Sequence, residues 1–154
     1  MEERFDEIYN LYNKDVYRFI YSYMLNHFDT EDVLQKTFYK LYKNKKILKL
    51  FDIEIKKWLF RVSLNETKDF FKSSWTRKAQ ELDEITANKI YKNNENKLIE
   101  ALKDIPKTYR IPLYLYYYEG YDIKEIAKIL KKSESAIKMR LSRGKEKLKI
   151  ELEG

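Results

Sequence analysis

The 154-residue chain contains no cysteine, which excludes disulfides and thiolate zinc sites. It has three glycines and two prolines, far below average usage, while Leu, Ile, Lys and Glu abound. Few breakers among many helix formers predict an all-α protein with short connections. There is one histidine, His27, and it reads as a surface or capping residue beside Phe28. The chain shows no clustered metal ligands, no glycine-rich phosphate loop and no repeated pair of carboxylates. Neither a metal, a cofactor nor catalysis is therefore expected. Glu31 and Asp32 fall at a predicted helix start, where the helix dipole already accounts for them. No apolar run approaches the roughly 20 residues needed to cross a bilayer, so no membrane insertion is expected. The acidic start Met1–Arg4 lacks the basic and apolar regions of a signal peptide, and the expectation is a soluble, cytoplasmic protein.

What is abundant is positive charge, and it is concentrated. The net charge is +7 and the pI about 9.3. Residues 40–61 carry eight basic and two acidic side chains, and residues 133–149 carry six and two. The remainder of the chain is slightly acidic. Two basic patches on an otherwise acidic chain fit a polyanionic partner whose counterions are released on binding. Many of the 14 tyrosines recur at helical spacing, as expected of amphipathic cores rather than of one binding cage.

Phe5, Ile8, Tyr9, Tyr12, Val16, Phe19, Ile20, Tyr23 and Met24 step by three and four, predicting one or two helices to about Leu25. Asp29 or Thr30 is the expected cap of the next helix, which turns Val33, Leu34, Thr37, Phe38 and Leu41 inward and ends near Lys43. Asn44 to Ile55 reads as a basic loop. A third long helix follows, with Trp58, Leu59, Val62, Leu64 and Phe70–Phe71 as its apolar positions. The polar stretch 75–94 reads as a linker, separating a domain over 1–74 from one over 95–154. A long polar linker predicts domains that move independently. Beyond it, Leu98, Ala101, Leu102 and Ile105 form a short amphipathic helix ending at Pro106. Tyr109 to Tyr118 forms an apolar helix interrupted by Pro112, which removes a hydrogen bond, and closed by Gly120.

The sharpest local pattern is YDIKEIAKILKKSESAIKMRLSRGKEKLKIEL. A short helix (123–130), a three-residue turn and a longer basic helix (134–148) make a helix-turn-helix. Ala127 is small where the second helix must cross closely, and Ser133 is placed to cap it. On that second helix Ile137, Leu141, Gly144 and Leu148 form the inward stripe. Glu134, Ser135, Lys138, Met139 and Ser142 then face outward, near the end that a recognition helix offers to base edges. Arg140, Arg143, Lys145 and Lys147 flank that surface, within reach of phosphates.

IPKTYRIPLYLYYYEGYDIKEIAKIL and SESAIKMRLSRGKEKL together resemble region 4 of RNA polymerase sigma factors of the sigma-70 family, in particular the extracytoplasmic-function (ECF) group. DTEDVLQKTFYKLYK and WLFRVSLNETKDFFK resemble region 2 of the same family, in the family's order and spacing. Lys36 and the Lys131-Lys132 turn depart from its usual acidic residue and glycine. The resemblance implies an alternative sigma factor that directs core polymerase to promoters. Asp32, Gln35 and Phe38 would dock on the polymerase clamp helices, although Phe38 is expected first as a core residue. Lys45, Lys46, Lys49 and Phe51 of the basic loop, with Asn65, Lys68 and Lys72, would open and read the minus-ten element. Asp69 would orient a neighbouring basic residue, or cap or pack within the domain, and Trp58 is expected in the core rather than as a stacking platform. The helix over 107–118 would meet the polymerase flap. Glu134, Ser135, Lys138, Met139, Arg140, Ser142, Arg143 and Lys145 would read the minus-thirty-five element. A dedicated anti-sigma partner is also implied. The competing reading is a helix-turn-helix regulator that is not a polymerase subunit. It accounts for residues 95–150 but leaves the two N-terminal patterns without a purpose. A helical adaptor would have to treat both basic patches as incidental.

Overall fold

A computed structural model describes residues 2–70 and 97–153. Those residues are helical or in short turns, with no strand among them, in keeping with the all-α expectation. The chain divides into two compact units, 1–90 and 91–154. The bounds expected for the linker, 75–94, lie outside the described residues, as do Lys72 and Phe71.

The N-terminal unit is built on four helices: α1 (Glu2–Met24), α2 (His27–Lys43), the single turn α3 (Lys45–Leu48) and α4 (Asp52–Phe70). α1 is one uninterrupted helix. It ends where Leu25 takes a left-handed conformation (φ 57°), a costly choice for a residue with a Cβ, and one that turns the chain at once into α2. The cap of α2 is the buried Asn26, whose side chain accepts from the Asp29 amide at 2.9 Å, not Asp29 or Thr30. Those two are buried inside the first turn. The core is formed by Ile8, Val16, Phe19 and Ile20 of α1, Val33, Leu34 and Leu41 of α2, Leu48 of α3, and Ile55, Leu59 and Phe60 of α4. The Phe19 and Phe60 rings meet at 4.6 Å. Packed against both α1 and α2, α4 buries a wider arc than one stripe, so Phe60 lies inside while Trp58 and Leu64 are half-exposed. Tyr23 is wholly buried, which pushes its phenol far above the ordinary value, and its hydroxyl accepts from Thr67 Oγ1 at 3.2 Å.

The expected loop 44–55 is shorter than the sequence suggests. Asn44 caps α3 by accepting from the Ile47 amide at 3.2 Å, and α4 has already begun at Asp52. Only the turn 49–51 remains between them.

In the C-terminal unit, α5 (Lys97–Leu102) and α6 (Lys107–Leu113) lead into a π-helical turn, Tyr114–Tyr118. Pro112 is accommodated inside this run: it is buried, and the chain stays helical past it. The wider turn follows directly, with the Glu119 amide donating to Tyr114 O at 3.2 Å and the Tyr121 amide to Leu115 O at 3.0 Å. Gly120 (φ 77°) then reverses the chain. Next come α7 (Ile123–Leu130) and α8 (Glu134–Glu153).

α7 starts with a reciprocal capping box. Asp122 accepts from the Glu125 amide at 2.8 Å, and Glu125 accepts from the Asp122 amide at 3.2 Å, so two otherwise unsatisfied amides are paired. α7 ends with the Lys132 amide donating to Ala127 O at 3.0 Å, and this Schellman closure places Lys131 in the left-handed region (φ 52°, ψ 51°). Ser133 caps α8 by accepting from the Ala136 amide at 3.1 Å. The inward stripe of α8 is Ile137, Leu141, Gly144 and Leu148, all buried. At Gly144 a Cβ would lie 2.9 Å from Leu113 Cδ1 and 3.2 Å from Tyr109 Cβ, so α8 touches α6 almost backbone to side chain.

Two stabilities test these turns and contacts. Gly144→Val should destabilise the C-terminal unit by about 1–3 kcal/mol, because overpacking against Leu113 outweighs the gain in helix propensity. Lys131→Gly should stabilise it by about 0.5–1 kcal/mol, since glycine relieves the left-handed strain at some cost in unfolded-chain entropy. Urea denaturation followed by circular dichroism measures both, and an unchanged midpoint for Gly144→Val would refute the close contact.

Candidate nucleic-acid interface

The C-terminal basic patch takes its form from the helical period of α8. With Ile137, Leu141, Gly144 and Leu148 turned inward, Ser135, Met139 and Ser142 fall on the opposite side, and all three are exposed. Lys138 and Lys145 lie along one margin of that stripe, Arg140 and Arg143 along the other, as the 3.6-residue repeat requires. Lys138, Arg143 and Lys145 are exposed and Arg140 is half-buried. Glu134 is exposed on the first turn. A near-neutral centre between two basic margins is the arrangement that lets a helix sit in a groove, with Arg140, Arg143 and Lys145 nearest the phosphate chains and Lys138, close to the helix start, within reach of base edges. Lys145 is also held from below. Its ammonium stands 5.2 Å from the Tyr116 ring and 5.7 Å from the Tyr117 ring, and Lys147 stands 5.8 Å from the Tyr109 ring. The π-helical turn therefore supplies the aromatic floor of one margin, a role not visible in the sequence pattern.

Arg110 sits behind this surface rather than on it. It is 6 % exposed and its Nε donates to Ile105 O at 3.1 Å. Burial lowers its ordinary pKa, and nearby Asp104 opposes that effect.

In the N-terminal unit Lys45, Lys46, Lys49, Asn65 and Lys68 are exposed, and Phe51 is 84 % exposed. Lys45 and Lys46 line an open groove of about 560 Å³ together with Tyr39, Lys40, Lys43, Asn44 and Trp58. Lys43 stands 4.9 Å from the Tyr39 ring. Its ammonium is raised above its ordinary pKa by that tyrosine, first through a hydrogen bond and then through charge. Tyr39, Lys43 and a half-exposed Trp58 are thus groove residues that sequence reasoning missed or assigned to the core. The i, i+4 spacing of Tyr39 and Lys43 was the available signal. Part of the basic patch is already engaged within the fold. Lys40 pairs with the nearly buried Glu66, bridging α2 and α4, and Lys56 lies 3.4 Å from Asp15.

On the exposed side of α2, Gln35 is free to solvent on its surface, and the half-exposed Asp32 pairs with Lys36 at 3.0 Å. Phe38 does not join them. It is 3 % exposed, with its ring 4.9 Å from that of Tyr9 and 6.3 Å from that of Phe5, so it belongs to the core and not to the exposed contact face. His27, expected at the surface, is half-buried and hydrogen-bonded through Nδ1 to the Tyr17 hydroxyl at 2.5 Å.

No group of three or more potential metal ligands occurs among the described residues, and no described helix is long and apolar enough to cross a membrane.

Against known proteins, residues 8–77 match the family pattern described as Sigma-70 region 2, and residues 95–148 match Sigma-70, region 4. The ECF RNA polymerase sigma factor SigM of Bacillus subtilis is 30 % identical, the match spanning 94 % of this chain and 92 % of SigM. RNA polymerase sigma factor SigV of the same organism is 26 % identical over 92 % of this chain and 86 % of SigV. Among solved structures, the sigma factor RpoE of Bartonella quintana, crystallised with the anti-sigma factor NepR, superposes with a TM-score of 0.71 at 22 % identity, covering 97 % of this chain and 96 % of that one. The last likeness establishes the fold; the two region matches in family order, with the similarity to SigM along nearly the whole chain, establish that this chain belongs to the ECF group of the sigma-70 family.

Proposed function

We propose that this protein is an alternative sigma factor that brings core RNA polymerase to a particular class of promoters and starts transcription there, without catalysis of its own. The observation that carries this reading is the presence of both family regions in order, each bearing a basic surface. α8 reads the minus-thirty-five element, with Glu134, Ser135, Lys138, Met139 and Ser142 offered to base edges and Arg140, Arg143 and Lys145 anchoring to phosphate. The charged turn and groove carrying Lys45, Lys46, Lys49 and Phe51, with Asn65 and Lys68 on α4, take the minus-ten element. Holding an unstacked strand calls for positive charge beside aromatic surface, and both are present there. Lys72 is part of the same proposal, although it lies outside the described residues. Asp32 and Gln35 on α2 meet the polymerase clamp helices, and α6 with the turn after it meets the flap.

RpoE, which shares the fold, was crystallised with the anti-sigma factor NepR. We extend that to this chain: a dedicated anti-sigma protein holds it inactive until a signal releases it. A factor that works with polymerase acts in the cytoplasm.

Run-off transcription tests the reading. Core polymerase with the full chain, presented with a library of genomic promoters, should transcribe a restricted set that core polymerase alone does not. A folded protein that activates none would sink it. Tight specific binding to duplex promoter DNA without polymerase would favour the free-standing regulator instead. Two substitutions should separate anchoring from reading in the holoenzyme. Arg140→Ala should weaken binding to all promoters alike and reduce the slope of log affinity against log salt by about 1. Lys138→Ala should cost about 1–3 kcal/mol on the preferred sequence and little on others, changing the ranking of promoters.

A further inference from the structure

Three apolar side chains crowd the short turn between α3 and α4: Leu50, Phe51 and Ile53 are 42, 84 and 61 % exposed. The turn's own hold is local, the Leu50 amide donating to Ile47 O at 3.0 Å and the Lys49 amide to Lys46 O at 3.3 Å. α3 is one helical turn, far below the length at which a helix persists alone. The backbone of Phe51 is committed to α4, its carbonyl accepting from the Glu54 and Ile55 amides at 3.0 and 3.1 Å, while its ring stands in solvent.

The hold across the turn, from α3 to α4, comes from α1. Arg4, in the first turn of α1, donates from Nε to Leu48 O at 3.0 Å and from Nη2 to Leu50 O at 2.8 Å. Its Nη1 lies 2.8 Å from Asp52 Oδ1 and 3.4 Å from Glu7 Oε1. One planar guanidinium thus bridges the end of α3, the turn, and the first residue of α4. The two carbonyls and the carboxylate bracket Phe51 on both sides. Arginine suits this task because its five donors lie in a fixed fork; a lysine would bring the charge but not the geometry.

Resting on the functional reading above, we propose that Arg4 is a positioning residue for promoter opening: it locks the 48–52 turn so that the Phe51 ring is presented for stacking against an unpaired base of the minus-ten strand. Arg4 itself does not touch DNA in this arrangement. Its effect passes through Phe51.

The test uses holoenzyme reconstituted from core polymerase and the full chain, carrying Arg4→Gln, Arg4→Lys, Phe51→Ala or the Arg4→Gln/Phe51→Ala pair. The probe is a fluorescent single-stranded oligonucleotide with the non-template strand of a promoter that the wild-type holoenzyme transcribes. Arg4→Gln should weaken probe binding roughly tenfold, within the range of one base–aromatic stack, and Arg4→Lys should not restore it. The double variant should bind no worse than Phe51→Ala alone, because both changes remove one interaction. Affinity for core polymerase should stay within about twofold, and a pre-melted template should recover most of the lost transcription. Unchanged probe binding in both Arg4 variants overturns the inference. So does an additive double variant, or an equal loss of core affinity, either of which means that Arg4 only stabilises the fold. Should Arg4→Gln not fold, Arg4→Lys decides by the same readings. A wild-type holoenzyme that transcribes no promoter overturns the sigma reading and this inference together, whereas an active wild type with indifferent Arg4 variants overturns the inference alone.

Discussion

The contact between Gly144 and the Leu113 and Tyr109 side chains governs the C-terminal unit. No other residue type fits there without displacement, since a Cβ would come within 2.9 Å of Leu113. The close crossing fixes the rotation of α8 about its own axis, and that rotation decides everything on its far side. Ile137, Leu141 and Leu148 go inward with Gly144; Ser135, Met139 and Ser142 go outward. It also brings Lys145 and Lys147 over the tyrosines of α6 and the π-helical turn. A rotation of one residue step, about 100°, would bury one basic margin and expose the stripe. The caps then set where α8 begins: Ser133 on its own first turn, and Lys131 held left-handed by the closure of α7.

The N-terminal unit solves a different problem with charge. Residues 40–61 look in the sequence like one large cationic surface, yet two of its lysines serve the fold. Lys40 neutralises Glu66, whose burial would otherwise leave a carboxylate unpaired at considerable cost, and Lys56 reaches Asp15. Lys45, Lys46 and Lys49 remain at the surface around the α3–α4 turn. The effective cationic surface is therefore smaller than the count suggests, and it is focused on one edge.

The fold was largely legible because most of it follows from periodicity. The helix-turn-helix, its inward stripe and its Ser133 cap all came from spacing and residue type. What was not legible depended on contacts distant in sequence or on elements too short to show a period. α3 spans four residues, too few for a repeat to be seen. Asn26, Asp29 and Thr30 are all capable caps, and burial among the helices selected the first. Trp58 and Phe60 both lie near the apolar face of α4, and only its position against α1 and α2 puts Phe60 inside. The π-helical turn after Pro112 has no sequence signature beyond the proline itself. The Asp122–Glu125 box is marked in the sequence by a D-x-x-E pattern. Of the site, the outward face of α8 was readable from the pattern, whereas the groove of Tyr39, Lys43 and Trp58 needed three helices in place.

The two basic surfaces differ in how they are held, and the difference suits the two states of DNA proposed for them. A duplex presents a regular groove, so its reader gains from a long, straight helix whose register is set at its start and whose axis is fixed by tight packing. α8 has both. An unpaired strand offers base faces rather than a groove, and a protein captures it with aromatic surface that must already be exposed before the strand arrives. Exposed apolar surface invites self-association, and a ring as open as Phe51 is tolerable when small in area and on a segment rich in like charge. Lys45, Lys46 and Lys49, exposed on α3 and the turn that lead to Phe51, supply that charge. They repel another copy of the same surface while attracting a phosphate chain, so the same charges that keep the turn soluble direct it to its partner. The remaining requirement is a fixed geometry for the aromatic ring, which a one-turn helix cannot supply by itself and a guanidinium anchored on α1 can.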